Sequence, residues 1–329
     1  MANTREIQSR MKSIQDTMKL TNAMYMISST KLRKARKNLE DTEEYFYTLQ
    51  SMISRILRHL PQTNIQEYNQ YFDHREKKKP QDHVHGLIVV TADKGMAGSY
   101  NHNVLKMAQE QMEWGGSYKL FVVGELGRQY FAARGIPVAE QFHYTAQNPT
   151  LHRARIISET VLEQFRAGEL DDVHLIYTVM KNGVTTQTQM LHLLPLVVED
   201  FLPKEIQLAG IGKEELAMMP SPKAVLDNIV PDSVMGYVFG ALVESFCSEQ
   251  NARMMAMEAA NKNAAAMIHD LSIEYNRVRQ AMITQEITEV IAGAKAQKAK
   301  KKAKTVLHHA SYHRYVMHHL LHPYEVLHQ

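Results

Sequence analysis

The amino-acid sequence predicts an α/β protein in which the N- and C-terminal helices form a long antiparallel two-helix coiled coil, with a central Rossmann-like α/β domain between them in the chain. Three observations lead to this prediction. Apolar residues near the N-terminus recur at alternating steps of four and three. A second proline-free stretch of about 60 residues, long enough for a rod of roughly 90 Å, approaches the C-terminus. Between these two segments, short apolar runs alternate with helical patterns.

The first helix is predicted over residues 1–60. Its four-and-three spacing continues without a slip for more than seven heptads, which indicates a left-handed coiled coil of roughly 80 Å. The only segment of similar length is the last helix, so we expect the two chain ends to pair in antiparallel orientation. The seam consists of Ile7, Met11, Ile14, Met18, Thr21, Tyr25, Ser28, Leu32, Ala35, Leu39, Thr42, Phe46, Leu49, Ile53, Ile56 and Leu60.

Residues 61–83 are predicted to be a solvated linker, because the segment is polar and contains Pro61, Pro80 and a run of charges. An α/β domain is expected over residues 84–205. The Asn182-Gly183 pair predicts a hairpin at one edge of its mainly parallel sheet. The predicted strands are Gly86–Thr91, Lys119–Gly124, Val173–Met180 and Thr185–Leu194, and the predicted helices are Asn103–Glu113, a second one ending at Arg134, and Pro149–Gly168.

A proline-punctuated connector over residues 206–232 leads to the last helix, predicted over residues 233–294 with Asp232 as its cap. Much of the girth of this helix is apolar, which indicates that it is enclosed. The remaining extension, residues 295–329, is rich in lysine and histidine. Its six lysines between Lys295 and Lys304 predict a disordered run. Its seven histidines lack the carboxylate or cysteine partners of a metal site, although His309/His313 and His318/His322 have chelating spacing on a helix.

The α/β domain offers no recognisable active site. The turn after its first strand, Thr91–Tyr100, lies where such folds bind nucleotides. Its glycines, Gly95 and Gly98, do not have the dinucleotide spacing, and no P-loop follows. Asp93 and Lys94 could form an acid/base pair but are expected to cap and solvate the turn. We therefore predict no catalytic residues, no cofactor and no metal ion.

Composition narrows the functional classes further. The formal net charge of +3 over 329 residues argues against a general polyanion binder, so no nucleic-acid partner is expected. The single cysteine, Cys247, suits a reducing compartment. No apolar run reaches membrane-spanning length, and the opening residues lack the apolar core of a secretory signal.

At both ends the residues resemble the gamma subunit of F-type, proton-translocating ATP synthases of the bacterial type. The resemblance rests on Ile14–Met26 with Ser29–Lys34, on Ser248–Met257, on Tyr275–Glu289 and, in the middle, on Thr91–Asn101. It covers residue 1 to about residue 294. The family's usual sequence ends there, and this chain adds about 35 residues.

The resemblance implies a non-catalytic central rotor shaft, present in one copy, that transmits torque between a c-subunit ring and a catalytic hexamer of alpha and beta subunits. It also implies contact with epsilon, contact with the membrane only through the complex, and a place at the cytoplasmic face of the bacterial membrane. The absence of a thiol-switch insert distinguishes the chain from the chloroplast version. The partner-binding residues that it implies are Met24, Lys31, Arg33, Lys34, Glu249, Arg253, Arg279, Gln280, Thr284 and Glu286.

Two other functional classes fit parts of the pattern. A self-contained coiled-coil scaffold would dimerise through the first helix. A nucleotide-dependent enzyme would use the α/β domain.

Overall fold

The computed structural model describes residues 4–59, 70–73, 79, 82–113, 116–142, 146–181, 185–201 and 218–321. The chain divides into two compact units. One is Lys19–Asn261, and the other combines Met1–Met18 with Lys262–Gln329. The first helix, α1 (Thr4–His59), and the last helix, α6 (Pro222–Leu321), each contribute a segment to both units.

Within the unit Lys19–Asn261, α1 and α6 run antiparallel. Thr21 near one end of the α1 segment donates a hydrogen bond to Asn261, whereas Gln50 Nε2 donates to the hydroxyl of Tyr237 at 2.5 Å. The predicted seam faces inward, because its positions are buried or half-buried as far as they are described. The fully buried seam members in this unit are Ser28, Ala35, Leu49, Ile53 and Ile56.

The other unit has the same antiparallel arrangement. The Thr4 hydroxyl lies 3.8 Å from the Met282 sulfur, and Gln8 Nε2 donates to the hydroxyl of Tyr275 at 2.9 Å. Ile7 and Leu271 are the buried apolar side chains of this unit among its described residues. The helix pairing expected from the heptads is therefore present in each unit.

The α/β domain contains a five-stranded sheet with the strand order β3-β2-β1-β4-β5. The first four strands in this order are parallel, and β5 is an antiparallel edge strand beside β4. This is the predicted mainly parallel sheet with an edge hairpin, although the turn residues Asn182 and Gly183 lie outside the described residues. The strands are β1 (Val84–Val90), β2 (Ser117–Val123), β3 (Glu140–Phe142), β4 (Asp172–Lys181) and β5 (Thr185–Leu194).

Alternate residues of β1 face two different cores. Leu87 and Val89 pack with the helices α2 (Tyr100–Glu113) and α3 (Glu125–Ala133). Ile88 and Val90 join a larger core with α4 (Leu151–Arg166), α1 and α6. Helices on both faces explain why the strand is a continuous apolar run. The elements that the sequence did not predict are β3, the short helix α5 (Val198–Phe201) and a 3-10 turn at Gln70–Phe72.

Helix α6 is joined to the sheet where β4 extends past β1. The pairing of β1 with β4 ends at Ile176. Beyond that point the Thr178 backbone N–H donates to Ser245 Oγ, and the Ser248 hydroxyl donates to the Thr178 carbonyl, each at 3.1 Å. Two serines of α6 thus satisfy strand groups that would otherwise be buried without partners.

The expected helix start at Ser233 is wrong, because α6 begins at Pro222 and contains Pro231. Ser221 Oγ accepts a hydrogen bond from the Ala224 backbone N–H at 3.2 Å, so Ser221 caps the helix and Pro222 occupies its first turn. The turns on either side of Pro231 are held by buried packing of Leu226, Val230 and Val234. This packing offsets the hydrogen bond that the proline ring removes.

Two further expectations need correction. The run Lys295–Lys304 is helical rather than disordered, since alanine, lysine and glutamine are strong helix formers. The segment 61–83 is not wholly solvated, because Tyr71 and Phe72 are buried and the Tyr71 carbonyl accepts from the Leu196 backbone N–H at 2.7 Å. Most of that segment, and the connector between residues 202 and 217, lies outside the described residues. The predicted domain boundaries stay predictions.

Within the described part of the chain, Pro222–Tyr312 is long and apolar enough to cross a membrane by length and composition alone. The sequence-based expectation of no such stretch was therefore too strong. However, 67% of its most apolar window is buried inside the protein, as in the core helix of a soluble fold. The helix is weak evidence for a membrane span.

Candidate functional site

The turn that follows β1 is occupied by the chain's own polar groups. The Thr91 hydroxyl donates to the Val123 carbonyl at 2.8 Å and accepts from the Gly127 backbone N–H at 3.0 Å. A Cβ on Gly124, whose φ is 97°, would lie 2.3 Å from the Thr91 carbonyl oxygen, so the close approach of the two strand ends requires glycine there. The turn is a packing junction between β1 and β2.

Asp93 acts as a cap. Its Oδ1 accepts from the Glu125 backbone N–H at 3.1 Å, at the first residue of α3. A carboxylate at a helix N-terminus satisfies a backbone donor and the positive end of the helix dipole. This contact bears out the expectation that Asp93 acts as a cap.

Helix α6 contacts the same turn through a buried ion pair. Arg253 Nη2 donates to Glu249 Oε1 at 2.6 Å and to the carbonyls of Lys94 and Gly95 at 3.2 and 3.3 Å. The two side chains are 8% and 3% exposed. Burial raises the pKa of Glu249, and the nearby charge and hydrogen bond of Arg253 partly oppose that rise. We call this set of contacts the arginine clamp.

The space left beside the arginine clamp is small. Tyr100 is buried there, and burial together with the Glu249 charge raises the pKa of its hydroxyl. The remaining cavity has a volume of about 20 Å³ and is lined by Thr91, Tyr100, Arg153 and Glu249 among others. That volume holds about one water molecule and not a nucleotide. The cavity beside the arginine clamp is therefore too small for a nucleotide, while Lys94, Gly95 and Met96 of the turn are exposed.

Five basic residues lie between Lys31 and Lys37 on α1 in the same unit, and we call this cluster the basic collar. Lys31 is half-buried, and its positive charge partly opposes the rise in the pKa of Glu249. Arg33 and Lys34 are exposed. Met24, about two helical turns before Lys31, is half-buried. The structure thus brings Lys31 near the arginine clamp and leaves Arg33 and Lys34 facing solvent.

The remaining predicted partner-binding residues belong to the unit that combines Met1–Met18 with Lys262–Gln329. Arg279, Gln280, Thr284 and Glu286 are all exposed on α6, and the Thr284 hydroxyl donates to the Gln280 carbonyl at 2.9 Å within the helix. Their side chains are available to a partner. Glu249 and Arg253 differ, because their charged groups contact each other and the loop. The role of all ten residues in partner binding stays a prediction.

The sequence analysis named Glu249 and Arg253 as partner-binding residues but did not predict their contacts with the loop after β1. Their spacing of four residues on a helix was the available signal for an ion pair. Nothing in the sequence indicated that Arg253 reaches the carbonyls of Lys94 and Gly95. Among the described residues, no group of three or more histidine, cysteine, aspartate or glutamate side chains has the geometry of a metal site. The histidine pairs of the C-terminal extension have side chains outside the described residues.

The geometry defines a class of protein before any comparison. Its paired terminal helices pack against a mainly parallel sheet, so it is a coiled-coil protein with a Rossmann-like α/β domain. A family model described as "ATP synthase" matches residues 3–297. The "ATP synthase gamma chain" of Ruminiclostridium cellulolyticum is 40% identical over 302 residues, covering 89% of this chain and 98% of that protein. The same-named protein of Caldanaerobacter subterraneus is 38% identical over 296 residues, covering 88% and 98%.

A third relative, the "ATP synthase gamma chain, sodium ion specific" of Acetobacterium woodii, is 36% identical over 306 residues and covers 89% of this chain and 98% of its own. The fold is also found in the mitochondrial ATP synthase of Euglena gracilis. The matched chain there has a TM-score of 0.57 at 20% identity, with 91% of this chain and 96% of that one covered. The central stalk of the Tetrahymena thermophila enzyme gives a TM-score of 0.53 at 22% identity, covering 73% and 99%.

The chain belongs to the ATP synthase gamma chain family. This membership confirms the resemblance seen in the terminal motifs and, with it, the expected function of a rotor shaft.

Proposed function

We propose that this chain transmits torque between an ion-driven c-subunit ring and a catalytic hexamer of alpha and beta subunits, without catalysing a reaction itself. One copy works in each complex, epsilon binds it, and the complex sits at the cytoplasmic face of a bacterial membrane. The observation that carries the proposal is the arginine clamp. It ties the loop after β1, which lies where this fold class binds nucleotides, to the last helix.

Torque transmission needs a stiff connection between the α/β domain and the helices. The contacts of Ser245 and Ser248 with β4, and of Arg253 with the loop after β1, give such a connection at two separate points within one unit. Moving the loop away from the helix would remove the Arg253 donor from the Lys94 and Gly95 carbonyls, and the loss of hydrogen bonds to a buried charged group is costly. The helix and the sheet therefore move together.

Transmission also requires unequal contacts with otherwise similar neighbours. Arg279, Gln280, Thr284 and Glu286 offer exposed polar groups over a short stretch of α6. Met24 and the exposed part of the collar offer a second set, which we propose contacts an acidic loop of beta. Because such contacts differ between subunits, they bias the subunits toward different conformations. Glu249 and Arg253 contribute from within, by fixing the loop at Lys94.

In this proposal, other subunits of the complex determine which ion drives ATP synthesis. The Acetobacterium woodii relative is named sodium ion specific, and proton coupling is the expectation from the general resemblance. Ion-driven ATP synthesis measured with and without sodium, at fixed pH, separates the two.

The test of the proposal is purification of the native complex through an affinity tag on beta. The expected result is this chain in a ratio of one copy to three beta chains, together with alpha, epsilon and the c ring. The same preparation should lose ATP-driven ion pumping when this chain is absent, while the alpha and beta chains remain. A stable homodimer of this chain that binds none of these subunits would overturn the proposal and favour a scaffold.

A further inference from the structure

Two histidines face each other across the edge hairpin of the sheet. His174 on β4 lies directly opposite His192 on β5 in the strand register, and a register shift follows at Val173. The Nε2 atom of His174 is 3.2 Å from the Nδ1 atom of His192. The ring centroids are 4.9 Å apart and the ring planes are inclined at 66°. The rings thus meet nitrogen to nitrogen rather than by stacking.

The other nitrogen of each ring faces an oxygen that can only accept a hydrogen. His192 Nε2 lies 2.9 Å from the Pro195 carbonyl, and His174 Nδ1 lies 3.2 Å from Asp172 Oδ1. Two lone pairs at these distances would repel each other, so each of these nitrogens carries the proton of its ring. In the neutral rings, the two nitrogens that face each other consequently both carry a lone pair and no proton.

A bridging positive charge removes the repulsion between the facing nitrogens. A shared proton is one choice, and 3.2 Å lies at the long end of the hydrogen-bond range. A metal ion is the other choice. Zinc lies about 2.0–2.1 Å from imidazole nitrogens, and two such bonds spanning 3.2 Å enclose an angle of roughly 100°, close to tetrahedral. The spacing therefore also fits a bridging metal ion, and the experiment below separates the two choices.

The surroundings match those of metal-binding histidines. Such histidines commonly donate their second N–H to a carboxylate or a backbone carbonyl, which fixes the tautomer and the ring orientation. Here Asp172 Oδ1, at 3.2 Å from His174 Nδ1, and the Pro195 carbonyl, at 2.9 Å from His192 Nε2, lie at these two positions. Asp172 is itself held by His85, whose Nδ1 lies 2.7 Å from Oδ2, and its side chain is 16% exposed. The contact with His85 therefore fixes the position of Asp172 beside His174.

We propose that His174 and His192 form a two-histidine site for a borderline divalent transition-metal ion of the zinc type. Water completes the coordination, because the described residues supply two ligands at this position and His192 is exposed. Imidazole nitrogens suit zinc, copper and nickel and not magnesium or calcium. The site is distinct from the contacts that support the rotor function, so its failure leaves that function untouched.

The test counts bound zinc on the full-length chain by equilibrium dialysis at neutral pH. Because the C-terminal extension also contains histidines, the count is read as a difference between variants. His174→Gln and His192→Gln should each lose the same one equivalent of zinc relative to the unchanged chain. His152→Gln, which removes an exposed histidine of α4, is the matched control and should lose none from this site.

A second measurement separates a metal site from a shared proton. Asp172→Asn keeps both ligands but weakens the support of His174, so the zinc affinity of the counted equivalent should fall about 10- to 100-fold. Circular dichroism verifies that each variant is folded. If His174→Gln misfolds, the zinc count of His192→Gln, which lies on the exposed edge strand, tests the proposal. Equal zinc binding by the unchanged chain and His192→Gln would overturn the proposal and leave a shared proton as the bridge.

Discussion

Arg253 and Glu249, one helical turn apart on the last helix, form a buried ion pair with a nitrogen–oxygen distance of 2.6 Å. The same guanidinium nitrogen also contacts two carbonyls of the loop after β1. One side chain therefore links the helix to the loop that lies at the switch point of the sheet. The predictions below begin with this link.

Replacing Arg253 with alanine should destabilise the unit Lys19–Asn261 by about 3–5 kcal/mol, because it leaves the Glu249 carboxylate buried without a partner. The pKa of Glu249 is already raised by burial, and Arg253 opposes that rise. Without Arg253 the carboxyl should bind a proton more readily, so the loss should shrink as the pH falls. Urea unfolding at two pH values measures both effects.

Arg279→Ala is the control for this change, since Arg279 is exposed on the same helix. It should alter stability by no more than about 0.5 kcal/mol. Amide hydrogen exchange should also quicken in the loop around Lys94 in Arg253→Ala but not in Arg279→Ala. Unchanged exchange in this loop would show that Arg253 does not hold it.

Two glycines of α6 should respond oppositely to alanine. A Cβ on Gly236 would lie 2.2 Å from the Phe46 ring, whereas a Cβ on Gly240 would meet no atom within 4 Å. Gly236→Ala should therefore cost about 1–3 kcal/mol by overpacking. Gly240→Ala should stabilise the helix by up to about 1 kcal/mol through its better helix propensity. Thermal unfolding of the two variants checks the sign, and the same sign in both would contradict the close packing of α6 on Phe46.

The Cys247 thiol should not react in the folded protein. It is buried, and burial with the nearby Glu244 charge raises its pKa to about 12. The unfolded thiol ionises near pH 8.5, so the unfolded state releases this proton first and the stability due to this group falls as pH rises from there toward 12. A thiol reagent at pH 8 should label Cys247 only after denaturant is added. Rapid labelling of the native chain would contradict this burial.

Reversing the charge of the collar should impair coupling. Lys31→Glu, Arg33→Glu and Lys34→Glu together place negative charge against the acidic beta loop of the proposed function. ATP hydrolysis should persist while ATP-driven ion pumping falls, as measured in membrane vesicles. Lys106→Glu, at an exposed position on α2, serves as a single-charge control and should leave both activities unchanged. Equal loss of hydrolysis and pumping in the collar variant would argue against a torque contact.

Truncation after Ala296 should preserve assembly and coupled ATP synthesis. The family model ends at residue 297, and the described side chains from residue 297 to 307 are all exposed on the helix. The lysines of this segment oppose burial in an apolar sleeve. ATPase rates of full-length and truncated complexes at pH 6 and 8 provide the check. A large gain in rate on truncation, confined to pH 6, would indicate instead that the histidines act as a brake.

The periodic parts of the fold could be predicted from the sequence. The heptad seam of α1 gave the pairing of the terminal helices, and alternating runs gave four of the five strands. The start of α6 was predictable as well, because Ser221 followed by Pro222 is a cap signal, but Pro231 was taken as the boundary instead. Buried packing of Leu226 and Val230 decided that case, and packing cannot be seen in a local pattern.

Contacts between distant elements could not be predicted in the same way. Arg253 reaches the Lys94 carbonyl across 159 residues of sequence, and carbonyls have no side-chain identity to mark them. The opposition of His174 and His192 lay within reach, since counting outward from Lys181 opposite Thr185 places them together. What that count lacks is the orientation of the rings, which depends on Asp172 and Pro195.

The most direct measurement of the central claim is rotation of single complexes. Because Cys247 is buried, a cysteine introduced at the exposed His102 position can carry a reporter bead without competing labelling. With alpha and beta fixed to a surface, addition of ATP should produce sustained rotation of the bead in one direction, and rotation should stop when ATP is removed. Continued ATP hydrolysis with the bead stationary or moving only randomly would contradict the rotor account.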